Sequence, residues 1–175
     1  MNFKAIDPKE LLINPITTIS EQWPLIAAGN EENGFNTMTI SWGHIGSLWG
    51  TGGARPTFVA YVRPHRHTHK FMNSNDMFTI SILPSIFKDA LTYLGRVSGR
   101  DEDKVKNAGL TPIFDQNTTY FAEAKLVFVC KKLYQAPILE EGFLDTELMN
   151  KVYPEKDYHT MYVGEIVSIL GNTAV

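Results

Sequence analysis

What most limits the folds open to this chain is how briefly its apolar runs last. β-rich stretches recur, and Gly, Pro or Asn cuts each one off. WPLIAAG ends at Gly29 and passes into NEENGFN, a turn predicted to centre on Asn33 and Gly34. NTMTISW alternates, with Met38, Ile40 and Trp42 facing one way and Thr37, Thr39 and Ser41 the other. TFVAYV (57–62) and MFTISIL (77–83, stopped by Pro84) are further strands. KLVFVCKKLY (125–134) is apolar on both faces through its first half, and MYVGEIVSIL (161–170) closes the series. Helical spacing is confined to short pieces: residues 86–94 ending at Gly95, DEDKVKNAG ending at Gly109, and THKFMNSN with Thr68 as N-cap. About six strands against so few helices predict a mainly β fold, an antiparallel barrel, and disfavour a parallel α/β sheet.

The length of 175 residues fits one domain, 1–175, with no repeat, low-complexity tract or linker to divide it. A net charge of -3 gives no support to a nucleic-acid or membrane partner, so any basic cluster must be a local device. The one cysteine, Cys130, lies in an apolar strand and reads as inert core; it fits a reducing compartment. The opening MNFKAIDPKELL lacks the apolar run of a signal peptide, and no stretch is long enough to span a membrane. A cytoplasmic protein is expected.

One segment carries unusual chemistry. YVRPHRHTHKF sets His65, His67 and His69 at alternate positions among Arg63, Arg66 and Lys70. On a strand, three such imidazoles would share a face and could bind a metal. Pro64 argues against this: a strand would end there and the chain would turn into a helix, with no carboxylate or cysteine nearby to complete the set. The other reading is an anion grip. Arginine forks suit phosphate oxygens, and Thr68 at a helix start would add a hydroxyl and free N–H groups. The residues alone leave a phosphate cradle and a solvated charge run equally open. GTGGA (50–54) lacks the lysine of a phosphate loop and reads as a flexible loop at the barrel mouth, with Trp49 beside it either lining a site or packing.

Taken in order, NTMTISWG, RPTFVAYVRPHRHTHKF, MFTISIL, VSGRDEDKV, EAKLVFVCKKLY and YPEKDYHTMYVGEI resemble the flavin reductase-like proteins, most closely their flavoredoxin-type branch. The resemblance runs from about Trp23 to Ile169. It implies an FMN-binding split β-barrel with Greek-key-like connections, and a homodimer with the flavin near its interface. Carried across, it places Asn36, Met38, Thr39, Ser41 and Trp42 along the isoalloxazine and ribityl chain. Arg63, Arg66 and Thr68 fall around the phosphate; Ser98, Gly99 and Arg100 form a loop closing over the cofactor; His159, from the D-x-H before the last strand, points toward the flavin edge. Aromatic residues are common in this branch where His67 stands, which is a departure.

The implied function is an FMN-dependent oxidoreductase that takes hydride from NAD(P)H and passes electrons to a small-molecule or protein acceptor. Because the cofactor carries such chemistry, no acid–base residue is assigned as catalytic. The alternatives are an FMN electron carrier working with a protein partner, and a non-redox metal module built on the three histidines.

Overall fold

The protein is described here by a computed structural model covering residues 3–174. Ten strands are present among the described residues: β1 (Phe3–Ala5), β2 (Leu25–Asn30), β3 (Gly34–Thr39), β4 (Gly43–Ser47), β5 (Pro56–Val62), β6 (Met77–Ile82), β7 (Pro112–Asp115), β8 (Thr118–Phe121), β9 (Leu126–Pro137) and β10 (Thr160–Asn172). The helices are short: α1 (Pro15–Ser20), α2 (His67–Ser74), α3 (Lys88–Arg96), α4 (Lys104–Asn107) and α5 (Thr146–Val152). No helix among the described residues is long and apolar enough to cross a membrane.

The main sheet is antiparallel throughout and runs β3-β2-β6-β9-β10-β5-β4, with β1 also paired to β10. Alternation along the strands builds two cores. From β9, Leu126, Phe128 and Cys130 point into an inner cluster with Ile26, Met38, Phe58, Phe78, Ile80 and Tyr162, which lie on five other strands. The sheet therefore curls around a common centre. Its edge strands β3 and β4 contribute to that centre through Met38 and Ile45 but share no ladder. This is a barrel split along one seam. Phe58, Phe78 and Phe128 are fully buried inside it, each stabilising the fold by about 1.5–3 kcal/mol. Val127 and Val129 face the other way, into a cluster closed by Leu91 and Leu94 of α3, Val105 of α4, and Tyr120 and Phe121 of the β7–β8 hairpin.

β10 bends where its register with β9 shifts, between Val163 and Gly164. A Cβ at Gly164 would stand 2.5 Å from Cζ of Phe78 and 2.9 Å from Cβ of Cys130, so only glycine lets β10 pass this close to the core. Cys130 itself is fully buried, and burial alone raises its thiol pKa.

The mainly β barrel stands as expected; several local expectations do not. β1, β4 and the β7–β8 hairpin are too short to announce themselves, so more strands form than the roughly six foreseen. Asn33 and Gly34 end the first hairpin loop; they do not centre it. Asn30 pairs with Gly34, and Asn30 Oδ1 accepts the Asn33 N–H at 2.8 Å. β3 stops at Thr39, which leaves Ser41 and the half-exposed Trp42 beyond the alternating pattern. Gly95 lies inside α3, whose cap is Val97. Arg66, not Thr68, is the N-cap of α2. Residues 50–54 close the β4–β5 hairpin, and Trp49 packs edge-on against Tyr134 at 6.0 Å. Finally, the two-faced run in β9 is covered on both sides by its own chain. It gives no reason to expect a second copy.

Candidate functional site

Val62 ends β5, Pro64 prevents the strand from continuing, and Arg66 N–H closes a turn onto Arg63 O at 3.1 Å. That turn delivers α2 against the end of β3. Thr68, in the first turn of α2, is buried, and its Oγ1 accepts a hydrogen bond from Nδ2 of buried Asn36 at 2.8 Å. The chain leaving α3 crosses above them. Ser98 Oγ holds Arg100 N–H at 3.2 Å, and a Cβ on Gly99 would overlap Asn36 Oδ1. A glycine is therefore what allows this loop to lie on Asn36.

These elements enclose a hollow of about 210 Å³ lined by Asn36, Met38, Thr68 and Ser98 together with Arg66, Arg96, Arg100, Lys104, His65 and His67. Among the described residues, none of these arginines and neither Lys104 nor His67 forms an ion pair with a carboxylate. Lys104 is only 3% exposed. Its Nζ donates to Val97 O at 3.0 Å and Leu94 O at 3.3 Å, carbonyls freed by the end of α3. Burial, and then the neighbouring Arg66, push its pKa down to about 8. Arg66 is half-buried and donates to Gly95 O. His67 is held below the usual histidine range by burial, then by Arg100, Lys70 and Lys104, with Asp101 opposing.

Two further hollows, of about 460 and 230 Å³, continue the first past Met38. Thr39, Ser41, Trp42, Tyr61, Arg63 and His159 line them. Thr39 spends its hydroxyl on Leu91 O at 2.6 Å. His159 lies under Trp42, ring centroids 4.6 Å apart, and its Nδ1 meets the Tyr153 hydroxyl at 2.8 Å. Burial first, then Arg63, lower its pKa to about 4, so it is neutral near pH 7. Arg63 is tied to Asp157, donates to Val152 O at 3.0 Å, and covers the Tyr153 ring at 5.1 Å. Its partner's carboxyl is correspondingly held below the carboxylate range.

The cleft thus has a cationic end and a flat, aromatic end whose one arginine, Arg63, is paired with Asp157, the two joined at Met38. At the aromatic end it opens into an apolar hollow of about 560 Å³ between α1 and β4, which shares Ser41, Trp42 and Tyr61 with it. This hollow is the largest of these four and has no arginine, lysine or carboxylate in its lining; the ionic chemistry lies in the smaller ones.

Residues 17–174 match the family described as flavin reductase like domain. The chain belongs to that family. Among solved structures, it superposes with a TM-score of 0.68 on the FMN-binding domain of a flavin reductases-like enzyme from Shewanella baltica OS155, at 15% identity over 99% of this chain and 79% of that one. Flavoredoxin of Desulfovibrio vulgaris (Miyazaki F) follows at 0.66, with 21% identity over 98% and 78%. Nitrilotriacetate monooxygenase component B from Bacillus cereus gives 0.64, with 16% identity over 98% and 82%. At these identities the likeness is one of fold. Comparison with curated protein sequences finds no match.

In this flavin reductase-like chain, the residues carried over from the resemblance gather at one cleft. Asn36, Met38, Arg66, Thr68, Ser98 and Arg100 surround the cationic hollow, with Gly99 packed behind Asn36. Thr39, Ser41, Trp42 and His159 line its continuation. Arg63 stands apart from Arg66, in the aromatic half, engaged by Asp157. The three histidines diverge because α2 begins at His67. His65 Nδ1 lies 3.3 Å from Asp157, His67 turns edge-on to Phe71, and His69 meets Thr160. No cluster of three metal-ligating side chains exists among the described residues. Reading the sequence missed Lys104 and Arg96. Lys104 sits in the acid-rich DEDKVK, where a lysine looks like a solvated helix charge; only its position after Arg100 hinted otherwise.

Proposed function

We propose that the chain binds FMN in this cleft and acts, in the cytoplasm, as an FMN-dependent oxidoreductase. It takes hydride from NAD(P)H and passes electrons to a small-molecule or protein acceptor. The observation that carries this reading is the cleft's two-ended chemistry: a hollow with Arg66, Arg96, Arg100 and Lys104 and no paired carboxylate, continuous with the Trp42–His159 pair. A phosphate monoester with a flat ring system has the matching halves. The buried Nδ1 of His67, which has no partner among the described residues, supports the fit from the cationic end.

Arg66, Arg100 and Lys104 would hold the phosphate, and Asn36 and Thr68 the polar chain beside it. Met38, Thr39, Trp42 and His159 would wall the ring and exclude water from it. Arg63 would act through Asp157 and Tyr153 to fix His159. Bound FMN would supply a two-electron centre able to accept hydride and release it again. A homodimer belongs to the same reading, with the apolar hollow between α1 and β4 as the surface a second copy covers; Ile16 there is 74% exposed.

An absorption spectrum of the purified protein, followed by anaerobic additions of NADPH and NADH, tests this. A flavin spectrum that bleaches with either nucleotide is expected. A protein that is colourless and binds no added FMN would sink the proposal. The second reading, an electron carrier with a protein partner, draws on the absence of a glycine-rich dinucleotide fingerprint. It predicts a flavin spectrum that neither nucleotide bleaches.

A further inference from the structure

His67 is in an odd position for a histidine of a cationic hollow. Its Nδ1 is shielded from solvent and has no hydrogen-bond partner, although the ring as a whole is partly exposed. An unsatisfied buried nitrogen is unfavourable unless something outside the described residues pairs with it. Phe71 holds the ring edge-on, at 5.2 Å and 89°, and the Gly99 side of the loop lies against its Cδ2. The hollow it borders is the one lined by Arg66, Arg100 and Lys104.

We propose that His67 is a ligand of the phosphate, giving a ring N–H to a phosphate oxygen and taking up one proton from solvent when the phosphate dianion arrives. This rests on the FMN reading above and deepens it. The charged groups facing His67 are Arg66 and His65 from the turn before α2, Lys70 on α2, Arg96 at the end of α3, Arg100 and Asp101 on the following loop, and Lys104 on α4. Without an anion the field is cationic and keeps the ring neutral; Asp101 only partly offsets it. A dianion in the hollow reverses that field and favours the imidazolium. The balance is simple: neutral His67, one proton and the dianion give an imidazolium–phosphate pair, with no covalent bond made or broken. FMN affinity should therefore decline as pH rises above neutrality. Below about pH 6 the phosphate's own second ionisation acts in the opposite sense. The result is an optimum that riboflavin, having no phosphate, does not share.

The test is calorimetric titration of FMN and of riboflavin into flavin-free protein at pH 7, in two phosphate-free buffers of different ionisation enthalpy. Wild type should take up measurably more protons with FMN than with riboflavin. Lys104 adds only about a tenth of a proton at this pH, since a group with a pKa near 8 is already mostly charged. His67→Phe and His67→Gln should both lose the uptake. FMN binding should weaken roughly threefold to tenfold in His67→Phe, and less in His67→Gln, which keeps a neutral donor. Thermal melts of both variants confirm folding. FMN preferred over riboflavin, with the same uptake in wild type and both variants, would overturn the role of His67 and leave the cofactor reading standing. FMN bound no better than riboflavin would bring down both.

Discussion

Arg63 and Arg66 stand three positions apart and do different work. Arg63 is neutralised by Asp157, whereas Arg66 donates to the Gly95 carbonyl, pairs with no carboxylate among the described residues, and faces the cationic hollow. Arg66→Ala should therefore remove a charge-assisted phosphate contact worth about 1.5–3 kcal/mol and weaken FMN roughly tenfold to a hundredfold. Riboflavin should be far less affected, and fluorescence titration of both flavins decides. If both weaken equally, Arg66 is structural. Lys104→Met is expected to act twice. It leaves the Leu94 and Val97 carbonyls without their donor, lowering stability by about 1–3 kcal/mol in urea, and it selectively weakens FMN. A variant of wild-type stability would show that the buried ammonium caps nothing. The resemblance made Asn36, Arg66, Thr68 and Arg100 legible as neighbours. Sequence order did not show that Tyr153 and Trp42 would meet at His159, or that Asp157 would claim Arg63, because those partners come together only when β5 and β10 pair.

Between elements, the tie of α2 to β10 responds to pH. His69 Nε2 lies 3.0 Å from Thr160 Oγ1, and Nδ1 lies 3.3 Å from Asn73 Nδ2; Asn73 in turn accepts the Tyr162 hydroxyl on Oδ1 at 2.6 Å. With Asn73 Oδ1 taken by the Tyr162 hydroxyl, the neutral ring accepts from Asn73 Nδ2, whereas a protonated Nδ1 would require the amide to flip and Tyr162 to turn from donor to acceptor. Burial lowers the pKa of His69, and His159 is lowered to about 4. A base whose folded pKa is depressed binds more protons when unfolded. Its stabilisation is thus complete above the unfolded value near 6.5 and is lost as pH falls below it. The melting temperature should fall from pH 7.5 to 5, and His69→Gln should melt lower at pH 7.5 but show a shallower decline. An equally steep decline in the variant would exonerate His69. The long strands were readable from alternation and composition. The short edge strand β4 was not, since GHIGS has almost nothing apolar to bury and forms by pairing with β5. The early stop of β3 at Thr39 was equally hidden, because the alternating pattern runs on past it.

For the whole molecule, the barrel's two cores are complete within one chain, so association must use surface that folding leaves bare. Light scattering at micromolar concentration should show a dimer, and Ile16→Lys, at an exposed position on the apolar hollow, should shift it toward monomer with the melting curve of the free chain intact. A wild-type monomer would refute the dimer. The placement of Cys130 has a consequence of another kind. It is the only sulfhydryl in the chain, it is buried completely, and its surroundings disfavour the thiolate that alkylating agents and peroxides attack. Ellman's reagent should find no thiol in the folded protein and one after unfolding in urea; a native thiol titre near one would contradict the buried placement. A polypeptide so arranged has no disulfide couple of its own to cycle, and its thiol stays out of reach of oxidants formed beside an oxygen-reactive reductant.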